Sequence, residues 1–263
     1  MGLVARPAGD VDYSRYGVGY GGRRRTDPRI AELVTAALGP VGPVLNVGAG
    51  AGSYEPTDRP VVAVEPSEAM VAQRPEGSAP VVRAVAGALP VADGAVAASM
   101  AIVTIHQWPD PGAGLAELRR VTVGPVVVLT FDPAALDALW LAEYAPELHA
   151  AESRRYPTID AVVSALGAGA TATPVPVPFD CVDGFTEAFY GRPEAFLDPE
   201  VRRSQSAWSF VSDDAQARAV DKLAGDLASG RWDDRFGHLR DQEAFIGSLR
   251  LVVGHGLGGH PGP

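Results

Sequence analysis

Apolar positions along the chain follow two rhythms. Val44 to Val47, Val61 to Val64, Ala95 to Ile105 and Val126 to Thr130 are apolar runs without polar alternation. That pattern suits parallel strands covered on both faces, although the longest run also suits a buried helical segment. The other rhythm has a period near 3.6. "TDPRIAELVTAALGP" places Ile30, Leu33, Val34, Ala37 and Leu38 on one face, with Asp27 as N-cap, Pro28 at the first helical position and Gly39-Pro40 as the stop. "SEAMVAQRP" and "PGAGLAELRRVT" fall between the apolar runs and read as crossover helices. Strand alternating with helix predicts a doubly wound α/β fold whose ligand lies at the C-terminal ends of the strands.

From Asp132 the pattern changes. Pro133 to Gly169 is largely helical, "ATATPVPVPFD" reads as a proline-bearing edge strand, and Gly184 to Asp241 returns to helix and turn signals. "FIGSLRLVVGH" reads as a last strand. The division expected is a lid arm over 1–26, one domain over 27–255 with helical cap insertions at 132–165 and 183–243, and a disordered tail over 256–263. Trp140, Tyr144, Phe189, Tyr190, Phe196 and Trp208 are read as core of the helical insert, with some forming an apolar pocket.

Composition narrows the function classes. Hydrophobic residues make up 46% of the 263 and charged residues 21%, enough for a normal core. The net charge is −10, and "GRRR" at Gly22 to Arg25 is the one basic cluster, which argues against a nucleic-acid partner. Cys181 is the single cysteine, so there is no disulfide framework. His149, His238, His255 and His260 are scattered, and no metal site is expected. No apolar stretch reaches membrane-span length and the N-terminus lacks a signal core, so a cytoplasmic protein without a membrane partner is expected.

The chemistry centres on "VLNVGAGAGSYEP", where Gly48, Gly50 and Gly52 alternate directly behind an apolar run. Glycines at such spacing mark a tight turn or the close approach of another group. A nicotinamide fingerprint is one reading, which Gly48, Gly50 and Ser53 only approximate, and a plain structural turn is another. At the end of the next run Glu65 stands where an acidic residue accepts hydrogen bonds from both hydroxyls of a ribose. Further on come a Leu89-Pro90 turn, a small-residue strand, "HQWPD" and a helix ending in "ELRRV".

These motifs, in this order over about Val11 to Asp132, resemble the class I S-adenosylmethionine-dependent methyltransferases, in particular the methyltransferase type 11 group similar to ubiquinone- and menaquinone-pathway enzymes. The resemblance implies a seven-stranded, mostly parallel, Rossmann-like sheet with the helical cap inserted after strand 5 and between strands 6 and 7. It implies S-adenosylmethionine as cofactor and S-adenosylhomocysteine as product. Asn46, Gly48, Ala49 and Gly50 would lie against the methionine part, Glu65 would bind the ribose, and Pro66 and Met70 would run along the adenine. Ala86 and Leu89 would flank the ring, and Val103 and Thr104 would line the methionine side. Tyr16, in a closing N-terminal arm, would cover the cofactor while Arg24 pairs with its carboxylate.

Three departures from the family pattern stand out. Asn46 replaces the usual Asp or Glu, and Val85 replaces a frequent Asp near the adenine. Only "SYEPTDRP" separates Gly52 from the second strand, too short and too proline-rich for the usual helix, and Tyr54 is expected to fill part of the missing volume.

His106, just past the fourth strand, is the general-base candidate, with a loop-bonding or pocket-lining histidine as the bland reading. The expected activity is in-line transfer of a methyl group to an O, N or C atom of a small, aromatic or apolar metabolite, by a monomer or homodimer. The alternatives are a nicotinamide-cofactor oxidoreductase, disfavoured by the early Glu65 and the absence of a second glycine turn, and a non-methylating partner or cyclase on the same fold.

Overall fold

In a computed structural model, residues 24–256 are described. Tyr16 and most of the expected lid arm lie outside them. Helix α1 (Pro28–Leu38) forms as its caps predict: Asp27 Oδ1 accepts the Arg29 amide at 3.1 Å and Gly39 ends the helix. Strands β1 (Val44–Val47) and β2 (Val61–Val64) follow, then a one-turn α2 (Glu68–Val71), a two-residue β3 (Val81–Val82) and β4 (Ala98–Ile102). The apolar run from Ala95 is therefore strand for only part of its length. After β4 the chain turns at Val103 into a 3-10 turn over Ile105–Gln107. Helix α3 (Pro111–Val121), capped by Asp110, leads to β5 (Val126–Phe131).

The second half supplies α4 (Leu141–Tyr144), α5 (Pro146–Arg155), α6 (Ile159–Leu166), β6 (Thr171–Pro174), β7 (Val177–Pro178), α7 (Pro199–Arg203), α8 (Asp213–Ala228), α9 (Arg231–Phe236), β8 (Ala244–Phe245) and β9 (Leu249–Gly254). The main sheet has seven strands in the order β3-β2-β1-β4-β5-β9-β6. Neighbours from β3 to β5 are parallel, and β9 inserts antiparallel between β5 and β6. The proline-bearing β6 takes the outer edge, where a missing amide donor is tolerated. The rest of that run forms β7, which pairs with β8 in a separate two-stranded sheet.

Side chains alternate between two apolar layers, as the strand period requires. Val44, Ala98, Met100, Val127 and Leu129 face α1 and the cap. Leu45, Val47, Ala101, Val126 and Val128 face α3 and α6. The 132–165 insertion thus divides: residues up to Tyr156 build the cap, while α6 lies on the sheet with Val162 and Leu166 in the second layer. Trp140 anchors the cap, with Tyr144, Phe196 and Trp232 at ring-centroid distances of 5.4–5.7 Å in edge-on contact.

No helix forms in the segment between β1 and β2. Tyr54 fills the space, almost fully buried, its hydroxyl donating to Asp183 Oδ2 at 2.9 Å and its amide donating to Thr26 Oγ1 at 2.8 Å. This side chain joins the N-terminal segment, the glycine loop and the cap. Among the described residues, no helix is long and apolar enough to cross a membrane.

Candidate functional site

Two adjoining cavities open at the C-terminal ends of β1, β2 and β4. The first, the glycine-loop cleft, encloses about 630 Å³ and is lined by Asn46, Gly48, Ala49, Gly50, Glu65, Met70, Val103 and Thr104, together with Arg24. Each of these is a residue singled out in the sequence. Gly48 and Gly50 adopt φ of +71° and +50°, the left-handed region that glycine enters at no steric cost. At Gly48 the excluded neighbour belongs to the protein: a Cβ would lie 2.2 Å from Thr104 Oγ1. At Gly50 the need is the turn itself, which aims its amide at Glu65 Oε2, 2.8 Å away.

Glu65 is nine-tenths buried and its Oε1 accepts the Ser67 amide at 2.8 Å. Burial pushes its carboxyl above the ordinary glutamate value, while the Ser67 and Gly50 amides and the Arg74 charge pull it back. Each oxygen keeps a lone pair for a further donor. Behind the loop, Arg74 holds Glu55 at 2.7 Å in a largely buried ion pair, and Glu55 Oε1 accepts from Asn46 Nδ2 at 3.0 Å. This pins the carboxamide of Asn46, whose Oδ1 is buried without a hydrogen-bond partner.

Three expected cleft residues are elsewhere. Pro66 is outside the cleft wall, its carbonyl accepting from Arg83. Ala86 and Leu89 are buried in the second apolar layer with Trp108 and Leu115, because the chain after β3 tucks under the sheet edge toward α3. Ala51, Ser53, Tyr54, Ile102 and Gln107 line the cleft in addition.

The second cavity, the cap chamber, encloses about 550 Å³ and shares Arg24, Val103 and Gln107 with the cleft. Val103 forms the threshold with φ of +49°, a costly conformation for a β-branched residue. Its amide is held by the Leu129 carbonyl at 2.7 Å. Arg24 donates to Asp183 at 2.6 Å, so its charge is balanced from the cap while it faces both cavities.

His106 lines the chamber rather than the cleft. It is buried, its ring 4.5 Å from that of Tyr156, and Nδ1 has no hydrogen-bond partner. Burial, with the charges of Arg155 and Arg24, holds its pKa well below that of free histidine, so the imidazole is neutral at pH 7. Gln107 Nε2 lies 3.3 Å from His106 Nε2. As a donor it leaves the ring proton on Nδ1; turned over, Gln107 Oε1 takes the Nε2 proton and frees the Nδ1 lone pair.

The aromatic wall is Phe131, Tyr156 and Phe185. The six aromatics expected to be core are indeed packed in the first apolar layer, yet none lines this chamber. Two carboxyl groups in the wall, Glu152 and Glu187, escaped the sequence reading. Their signal was present: "GFTEAFY" sets Glu187 inside an apolar stretch, where a solvated acid is out of place.

Thr186 shows how Glu152 is held. Its single hydroxyl proton faces Glu152 Oε1 at 3.3 Å and Gln205 Oε1 at 3.2 Å, and Trp208 Nε1 donates to that same Gln205 oxygen at 3.1 Å. A protonated Glu152 donating to Thr186, which donates to Gln205, satisfies all three. Consistently, burial and the neighbouring Glu187 push Glu152 up to about 7, against the opposing pull of Arg155 and Thr186.

The strand order is that of the Rossmann-like methyltransferase fold. Residues 45–124 match the methyltransferase domain family. A protein described as a methyltransferase from an antibiotic biosynthesis pathway of Anabaena variabilis ATCC 29413 is 27% identical, with 89% of this chain and 99% of that one covered at a TM-score of 0.82. The [4+2]-cyclase SpnF shares the fold at 15% identity, with 87% and 80% covered and a TM-score of 0.50. Comparison with curated proteins gives no match.

Proposed function

We propose that this methyltransferase modifies a small molecule with a largely apolar body, held in the cap chamber while the cofactor occupies the glycine-loop cleft. One observation carries this reading: a partly open cavity under the cap meets the cleft through Val103, Gln107 and Arg24.

The cleft residues suit S-adenosylmethionine. The orphaned Asn46 Oδ1 is an acceptor for an ammonium group, and the Glu65 carboxylate retains acceptor capacity for the two ribose hydroxyls. Arg24 supplies the cation for a carboxylate, and Met70 supplies apolar contact. When bound, the cofactor provides the sulfonium methyl group, with S-adenosylhomocysteine as the leaving product. The chain's residues orient the acceptor and exclude water, and neutral His106 takes the proton that an O–H or N–H acceptor releases.

Incubation of the protein with methyl-labelled cofactor and a metabolite extract tests the substrate class. Label is expected in a small product; label found solely in protein or nucleic acid refutes the reading. His106→Ala is expected to lower turnover by about 10²- to 10⁴-fold with cofactor affinity unchanged. Full turnover in that variant removes the proton-acceptor role.

A further inference from the structure

The cap chamber contains a buried carboxyl oxygen that the proposed chemistry does not use. Glu187 stands in a 3-10 turn over Thr186–Phe189, 2% exposed, in the chamber wall. Its Oε1 accepts the Ser248 amide at 2.7 Å and the Ser248 hydroxyl at 2.6 Å, which fastens the cap to the start of β9. Among the described residues its Oε2 has no hydrogen-bond partner. Burial pushes the carboxyl above the ordinary glutamate value, while Ser248, the Leu249 amide and the Arg250 charge pull it back. A buried polar atom left unpaired destabilises the fold, and more so when charged. The fastening to Ser248 needs one oxygen alone, so a glutamine serves it equally well. The second oxygen is therefore open to a partner from outside the fold.

Of the surrounding charges, Arg24 is bound by Asp183, Arg155 acts on Glu152, and Arg250, 3.3 Å from Asp132, acts on Glu187 without a hydrogen bond to Oε2. The remaining wall is mostly aliphatic and aromatic. We infer that Glu187 is the specificity-determining residue of the chamber: Oε2 receives a hydrogen-bond donor, hydroxyl or ammonium, carried by an acceptor molecule whose remaining body is apolar. The inference rests on the chamber being the acceptor site.

Three probes with matched bodies test it by ligand-observed NMR on protein saturated with S-adenosylhomocysteine. 2-Phenylethanol ends in a neutral donor, 2-phenylethylamine in a charged donor and 3-phenylpropionate in a pure acceptor. The wild-type protein is expected to bind at least one donor about tenfold more tightly than the carboxylate, the gain from about one hydrogen bond. The better of the two donors separates hydroxyl from ammonium. Glu187→Gln keeps an oxygen for Ser248 and turns Oε2 into an NH₂ group, and is expected to bring the ratio close to one. If the variant does not fold, the wild-type ratio decides alone. Equal binding of the carboxylate by the wild type, or an unchanged ratio in the folded variant, overturns the inference and leaves the chamber reading standing. Binding of none of the probes while S-adenosylhomocysteine still binds overturns the chamber reading itself, and the inference with it.

Discussion

The glycine-loop cleft and the cap chamber share a threshold but are built in opposite ways. The cleft takes most of its wall from two stretches, residues 46–70 and 102–107, and its polar groups largely satisfy one another through Glu65 and the Asn46-Glu55-Arg74 chain. The chamber draws on segments from Arg24 to Ala207, and it leaves His106 Nδ1 and Glu187 Oε2 buried without partners. The contrast separates a wall preset by local turns from one assembled by the cap.

Breaking the cleft's internal pairing is expected to produce the largest effect. Arg74→Ala leaves Glu55 charged, largely buried and unpaired, and is expected to cost about 3–5 kcal/mol of stability in denaturant unfolding. A loss below about 1 kcal/mol, the value of an exposed pair, would mean the loop does not depend on this ion pair. Glu65→Ala is next: S-adenosylhomocysteine affinity by calorimetry is expected to fall by about 1–3 kcal/mol, with the chamber probes unaffected. Unchanged affinity would place the ribose elsewhere.

The smallest effect sharpens the chamber's side of the comparison. Glu152 has a raised pKa in the fold, so the native state holds its proton between about 4.5 and about 7 while the unfolded chain releases it. Stability from this group is full below that window and declines as pH rises through it. Glu152→Gln is expected to remove about 1–2 kcal/mol of that decline, read as the difference in unfolding free energy between pH 5 and pH 7.5. Parallel pH profiles for the two proteins would mean Glu152 ionises normally.

The sequence discloses the two regions to unequal depth, for physical reasons. β1, the glycine turn and Glu65 are close in the chain, so spacing alone brings them together. The cap of α1 and the edge position of β6 follow from Asp27, Pro28 and the prolines near residue 174. The Asn46-Glu55 contact is readable only once the helix usual after the first strand is known to be missing. Glu152 and Glu187 come from separate elements that only tertiary packing unites. Ala86 and Leu89 are absent from the cleft lining: β3 is two residues long, and the chain beyond it packs against α3.

The proline-rich link between β1 and β2 sets the electrical character of the cleft. A helix there would direct the positive end of its dipole at the glycine loop. Without one, the counter-charge for a bound carboxylate falls to Arg24, whose own charge Asp183 largely balances. Ligand capture then rests on short-range fit more than on long-range attraction, and its strength should vary little with ionic strength.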